Sequence, residues 1–316
     1  MAIDRRKFLV QSGSLLSAAP IYYLNSGNSS LPDGEPIIDI HQHIQFKGRS
    51  NTDLIKHQDH LGIKKTILLP SGSPVDRAST HFGKANGLAA EAGGNESCLN
   101  LAEKYKGKIY FGVNEVPDLE DSVKVIESYL KRGAKVIGEV KFGVDCDSQD
   151  MQRIYSLAEE FNVPILMHWE HQMYNYGFTR FYKMLEKYPN VNFIGHAQTW
   201  WAYIDKNYKD PNNLYPKGSV TPGGMTDRLL SDYENMYGDL SANSGLNSLM
   251  RDEDHARYFL EKHQDKLMFG SDCHDSLSGG GKCIGEHTIS AIRRLSSGRV
   301  VRKKILYKNA SRLFGI

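Results

Sequence analysis

His41 with His43, Glu139, His168, His196 and Asp272 stand at the ends of short apolar segments, and all are of metal-binding type. Imidazole nitrogens and carboxylate oxygens hold zinc, manganese and related divalent ions. An ion so held activates water and polarises a carbonyl group. His41 and His43 are two residues apart, so on a strand they share one face and can grip one ion together. His168 and His196 each terminate an apolar run, where an imidazole needs a partner. Asp272 ends Leu267-Met-Phe-Gly-Ser-Asp272, and a carboxylate there can bind metal while accepting a proton from attacking water. In a catalytic role beside Asp272, His196 either ligates a second ion or stabilises a developing oxyanion.

Glu139 and Lys141 share a face of a further apolar segment. Three arrangements are open: Glu139 bridging two ions, a carbamylated Lys141 bridging them, or a Glu139–Lys141 ion pair that orients substrate beside a single ion. Glu139 is the preferred ligand. The expected cofactor is therefore one or two divalent ions, zinc ahead of manganese.

Residues so far apart in sequence meet only if their segments end at one place. Eight runs read as strands: 36–43, 65–70, 108–114, 134–142, 163–168, 191–196, 236–241 and 266–272. They are apolar and rich in β-branched or aromatic residues, as buried parallel strands are. Helical periodicity lies between them over 118–131, 149–161, 178–188, 226–233 and 252–263, and a last helical stretch over 293–314 is expected to pack across the barrel. Alternation of this kind predicts an α/β fold, a closed (β/α)8 TIM barrel whose C-terminal strand ends surround one cavity.

Two connections are long, 71–95 after the second strand and 197–225 after the sixth, and both are candidate substrate lids. Trp169, Trp200, Trp201, Tyr174, Tyr176 and Tyr203 cluster after ligand-bearing strands; they either wall a substrate site or pack the loops against the barrel. His171, already in the loop, either supports the ligands from behind or faces substrate, and His274 and Asp275, directly after Asp272, are placed where they could touch substrate. His57, His60, His255, His263 and His287 fall in helical or surface patterns and are expected to be solvated.

The 316 residues suit one large barrel, and 40% hydrophobic with 24% charged residues suits a globular chain with an ample core. A net charge of +2 gives no reason to expect nucleic acid as a partner; a small-molecule substrate is expected, and a homo-oligomer is compatible with the chain. Gly279-Gly-Gly-Lys282 lacks the spacing of a phosphate-binding loop. Cys98, Cys146, Cys273 and Cys283 form no CxxC pair, so a zinc knuckle is not expected; Cys273 and Cys283 flank the glycine run and are either a disulfide or free thiols.

Residues 1–31 read as a targeting segment and linker, ahead of a barrel over 32–316. Arg5, Arg6 and Lys7 precede Phe8, Leu9 and Val10 in a pattern that resembles a twin-arginine export signal, with the periplasm as destination. Gln11, Ser12, Gly13, Ser14 and Ser17 make the run too polar and short for a stable span, so any membrane association is through an uncleaved signal.

Asp39-Ile-His-Gln-His43, the His-ended strands and Phe269-Gly-Ser-Asp272 resemble the amidohydrolase superfamily, in particular its amidohydrolase-related branch, and so does Lys304-Ile-Leu-Tyr-Lys-Asn-Ala-Ser-Arg-Leu-Phe314. The resemblance runs from about Ile37 to the end. It implies a metal-dependent hydrolase acting on an ester, lactone or amide. The branch also contains single-metal decarboxylases and hydratases, which form the alternative. A binding protein that holds metal without turnover is a third class, disfavoured because every expected ligand position is filled. Glu139 stands where binuclear members commonly carry a strand-four lysine, which leaves the metal count open.

Overall fold

The computed structural model describes residues 35–81, 92–275 and 283–316. The export segment 1–31, the middle of the first long connection and the glycine run 279–281 lie outside the described residues. Glu35–Ile316 forms one compact unit.

Eight parallel strands follow one another in chain order: β1 Ile37–Gln42, β2 Ile63–Leu68, β3 Ile109–Phe111, β4 Ile137–Val140, β5 Ile165–His168, β6 Phe193–His196, β7 Met236–Asp239 and β8 Leu267–Met268. Each lies within or beside its expected run and most are shorter, since regular pairing stops where strands splay toward the mouth. The strands pair as β1-β2-β3 and β4-β5-β6-β7-β8. Val113 N–H donates to Val136 O at 2.9 Å and joins the sets on one side. On the other, Ile40 N–H donates to Phe269 O at 3.2 Å and Asp272 N–H to His41 O at 2.8 Å. The result is a closed (β/α)8 barrel.

Helices α1 Asn51–His60, α2 Asn95–Lys104, α3 Ser122–Lys131, α4 Gln149–Phe161, α5 Tyr182–Lys187, α6 Ala197–Ala202, α7 Met225–Asp232, α8 Ala242–Met250 and α9 Glu253–Lys262 link the strands. Three of them, α1, α4 and α9, start on side-chain caps that satisfy otherwise orphaned amides: Ser50 accepts from Asp53 N–H, Ser148 from Met151 N–H and Asp252 from His255 N–H.

The final stretch is not one helix. Ser296-Ser-Gly298 separates α10 Ile284–Leu295 from α11 Arg299–Lys303, and a wide π turn over Lys304–Lys308 leads into α12 Asn309–Phe314. Its end packs across the barrel. Ala310 and Phe314 join Ile38, Ile40, Ile67, Leu69, Val136, Leu166, Ile194 and Met268 in the apolar filling of the barrel. The base is thereby sealed, and chemistry is confined to the opposite mouth.

The expected solvation of the helical histidines fails at three places. His57 on α1, His255 on α9 and His263 at the end of α9 are all buried. For the tryptophans the aromatic question resolves toward packing: Trp169 and Trp200 are fully buried and Trp201 nearly so. Trp169 stands edge-on to Phe178 and Phe181, and Trp201 Nε1–H donates to Asp239 O at 3.0 Å.

Candidate metal centre

His41 and His43 leave β1 with their Nε2 atoms 3.3 Å apart. Simple alternation along β1 would set them opposite Ile38 and Ile40, which fill the barrel. A register shift between Asp39 and Gln42 changes the parity, turning both imidazoles into the mouth while Gln42 points away. A similar shift between Ile137 and Val140 aims Glu139 inward although Val136 lies in the barrel filling. In β5 and β6 plain alternation suffices, Leu166 and His168 sharing one face and Ile194 and His196 another.

Glu139 sits at the centre. Its Oε2 is 3.3 Å from His43 Nε2 and 3.7 Å from His41 Nε2, and Asp272 Oδ1 is 3.5 and 3.8 Å from the same nitrogens. Its Oε1 is 2.5 Å from His168 Nδ1 and 3.6 Å from His196 Nε2. The two oxygens of one carboxylate thus face two donor groups. Lys141 lines the cavity above, its Nζ 5.5 Å from the centre of the Tyr174 ring. Glu139, not Lys141, lies between the histidines.

The protonation pattern shows what the cluster is built for. His43 Nδ1–H donates to Leu69 O at 2.8 Å and His41 Nδ1–H to Asp239 Oδ2 at 2.7 Å. Ser241 Oγ–H donates to Asp239 Oδ2 at 2.8 Å, so Ser241 Oγ accepts the Nδ1–H of His196 at 3.0 Å. In its neutral form each of these imidazoles therefore turns a lone pair at Nε2 toward the carboxylates. Buried Glu139 Oε2 and His196 Nε2 have no hydrogen-bond partner, and each such vacancy costs about 1–3 kcal/mol. Acceptors converging on acceptors fit a cation. Glu170 Oε2, 3.1 Å from His168 Nε2, holds that ring with Nδ1 toward Glu139.

Electrostatics agree. Burial opposes a charge on His41, but Asp272 and Asp239 outweigh it and raise its pKa well above the ordinary imidazole value. Burial likewise opposes ionisation of Glu139, yet Lys141 and His168 hold its carboxyl well below the usual range. Asp239 stays ionised against its burial because His41 and His196 flank it. Two ionised carboxylates and an imidazole of raised basicity mark a pocket that calls for positive charge.

All six expected site residues meet at the mouth. Sequence reasoning missed Asp239, Ser241 and Glu170; the Asp-Leu-Ser ending of the seventh strand was the available signal. Asp39, part of the β1 motif, is not a ligand: it accepts from Ser271 N–H at 2.9 Å and ties β8 to β1, and burial raises its pKa. Ala197, Ala242 and Asp272 have φ of 81°, 59° and 44°; such left-handed backbone, unfavourable for residues with a Cβ, is typical of segments held for function. A cavity of about 280 Å³ opens above the cluster, with Lys141, Gln198, Tyr215, Asn243 and His274 in its wall and Asp272 at its floor.

Among solved structures, the chain resembles a 2,6-dihydroxybenzoate decarboxylase complexed with 2,6-dihydroxybenzoate, at 13% identity, TM-score 0.55, with 90% of this chain and 100% of that one covered. A probable 2-pyrone-4,6-dicarboxylic acid hydrolase from Acinetobacter baumannii with citric acid bound matches at 14% identity and TM-score 0.58, covering 89% and 99%. A dihydroxybenzoic acid decarboxylase from Polaromonas sp. JS666 with bound manganese and the inhibitor 2-nitroresorcinol matches at 14% and 0.55, covering 89% and 97%. At this identity the likeness concerns the fold. No curated protein matches the chain. The family model described as amidohydrolase matches residues 38–316. Because that match takes in every strand end that supplies a donor to the mouth, fold and sequence agree: this chain belongs to the amidohydrolase family.

Proposed function

We propose that the chain is a metal-dependent hydrolase that directs activated water at an ester, lactone or amide bond of a small molecule. The carrying observation is the placement of Glu139, one oxygen toward His41, His43 and Asp272 and the other toward His168 and His196. A shared carboxylate suits paired ions, the arrangement that clamps both attacking and leaving oxygens in hydrolysis. Zinc or manganese bound there would polarise the substrate carbonyl and bring the pKa of water toward about 7.

The protein's own groups would do the rest. Asp272, 17% exposed where the cluster meets the cavity, takes the proton of the attacking water and passes it to the leaving group. Asp239 and Glu170 hold the imidazoles of His41, His196 and His168 in register. Lys141 in the cavity wall favours a substrate that bears a carboxylate. The Arg5-Arg6 segment supports export of the folded chain to the periplasm.

Decarboxylation or hydration is the second reading, supported by the fold likeness to dihydroxybenzoate decarboxylases. Metal-replete protein, offered carboxylated lactones and esters alongside hydroxybenzoic acids, separates the two. Acid release from a lactone or ester is the expected result; carbon dioxide from the aromatic acids, with lactones and esters inert, would overturn the hydrolase reading.

A further inference from the structure

On the side of β1 away from His41 and His43, a second set of donors converges. His57 of α1 is fully buried, with Nε2 3.1 Å from Cys283 Sγ and 3.3 Å from Cys273 Sγ. The two sulfurs are 3.8 Å apart. A carboxylate oxygen of Asp275 completes a group of four donors that all lie within 4.8 Å of one another. They come from three separate places: α1, the segment after β8, and the residue that opens α10. None of them belongs to the cluster around Glu139.

The sulfur–sulfur distance rules out a disulfide and leaves room for a shared ion. A disulfide needs sulfurs about 2.05 Å apart, and both cysteines are free thiols. Zinc–sulfur bonds of about 2.3 Å at a tetrahedral angle place two thiolates about 3.8 Å apart, the separation found. Two sulfurs, one imidazole and one carboxylate form a four-donor set for zinc, and soft sulfur selects zinc over manganese, magnesium or calcium. We propose that His57, Cys273, Asp275 and Cys283 bind a zinc ion at a second site, separate from the metal centre at the mouth. Binding releases the two thiol protons to solvent. The absence of a CxxC pair argued against such a site, but the fold supplies from α1 the nitrogen that spacing could not show.

The site would be structural. Cys273 directly follows Asp272, and Gln42, between the two β1 histidines, donates through Nε2 to Ser271 Oγ at 2.6 Å and Cys273 O at 3.2 Å. An ion gripping Cys273, Asp275 and Cys283 would pin the backbone that carries Asp272 and the start of α10.

The test uses the full chain, reduced, stripped of metal and titrated with cobalt(II). The mouth cluster has no sulfur, so thiolate-to-cobalt charge-transfer absorption reports the second site alone. The band should saturate at one ion per chain. It should vanish in Cys283→Ser with loss of one bound ion, while circular dichroism and the remaining cobalt absorption persist. No thiolate band when cobalt fills the mouth, or a band that survives Cys273→Ser/Cys283→Ser, would overturn the proposal. So would a zinc-loaded protein whose mass is two hydrogens low through a Cys273–Cys283 disulfide. If the variants do not fold, X-ray absorption on zinc-loaded wild type decides: sulfur scatterers at about 2.3 Å uphold the site, and nitrogen and oxygen alone sink it.

Discussion

The carboxylate of Asp239 accepts the Nδ1–H of His41 at 2.7 Å and lies 3.3 Å from Nδ1 of His196, so one buried group on β7 orients imidazoles from β1 and β6. Trp201 holds the backbone of the same residue from below. The tautomers of two candidate ligands therefore depend on one buried carboxylate.

Asp239→Asn should weaken metal binding about 10–100-fold, the usual cost of losing an orienting partner. The amide keeps the shape but removes the charge that favours Nδ1–H. A chelator competition titration reads the change, and unaltered affinity would remove Asp239 from the metal centre.

Glu139→Gln should do more, because its two oxygens face both donor groups. Metal content per chain, by elemental analysis, should fall, and affinity should drop by more than the roughly 100-fold upper figure for an orienting partner. A variant that keeps its full complement of ions would show that Glu139 bridges nothing.

Asp272→Asn should lower turnover by about 10²–10⁴-fold, the range for loss of a positioned proton acceptor. Hydrolysis by metal-loaded variant near the wild-type rate would end the assignment of Asp272 as the base.

Asp227 gives a pH dependence remote from the mouth. Its buried carboxylate meets His263 Nε2 at 2.6 Å and Lys262 Nζ at 2.7 Å, and these partners hold its pKa low against the penalty of burial. A depressed folded pKa means that the folded chain binds fewer protons than the unfolded one, whose Asp titrates near about 3.9. The contribution is full above that value and is lost as pH falls through the folded pKa. Asp227→Asn should cost about 1–3 kcal/mol at neutral pH and flatten the acid limb of a denaturant-midpoint series. An acid limb as steep as wild type would be the contrary result.

Trp200→Ala should destabilise by about 3–5 kcal/mol, as removal of a large buried aromatic does. The indole lies against Gly195, where an added Cβ would come within 2.4 Å of it. Urea unfolding should therefore also show Gly195→Ala destabilised. A loss of substrate affinity in Trp200→Ala without loss of stability would restore Trp200 to the substrate wall.

Strand endings made the six candidate ligands legible, since an apolar run that closes on His, Glu or Asp is a local pattern. The supporting carboxylates were not, because Asp239 and Glu170 are ordinary in sequence and gain meaning only from the imidazoles that neighbouring strands set beside them. His57 read as solvated for the same reason: the periodicity of α1 does not reveal the cysteines that pack against it.

Local pattern alone was sufficient for eight parallel strands, their order and the gathering of histidines at one end, because strand and helix periods are properties of contiguous residues and a parallel barrel brings like ends together. Packing decided which way the side chains turn. In β1 and β4, register shifts bring His41, His43 and Glu139 into the mouth although strict alternation from Ile38, Ile40 and Val136 would turn them outward. Register is a relation between strands, and no single strand contains it.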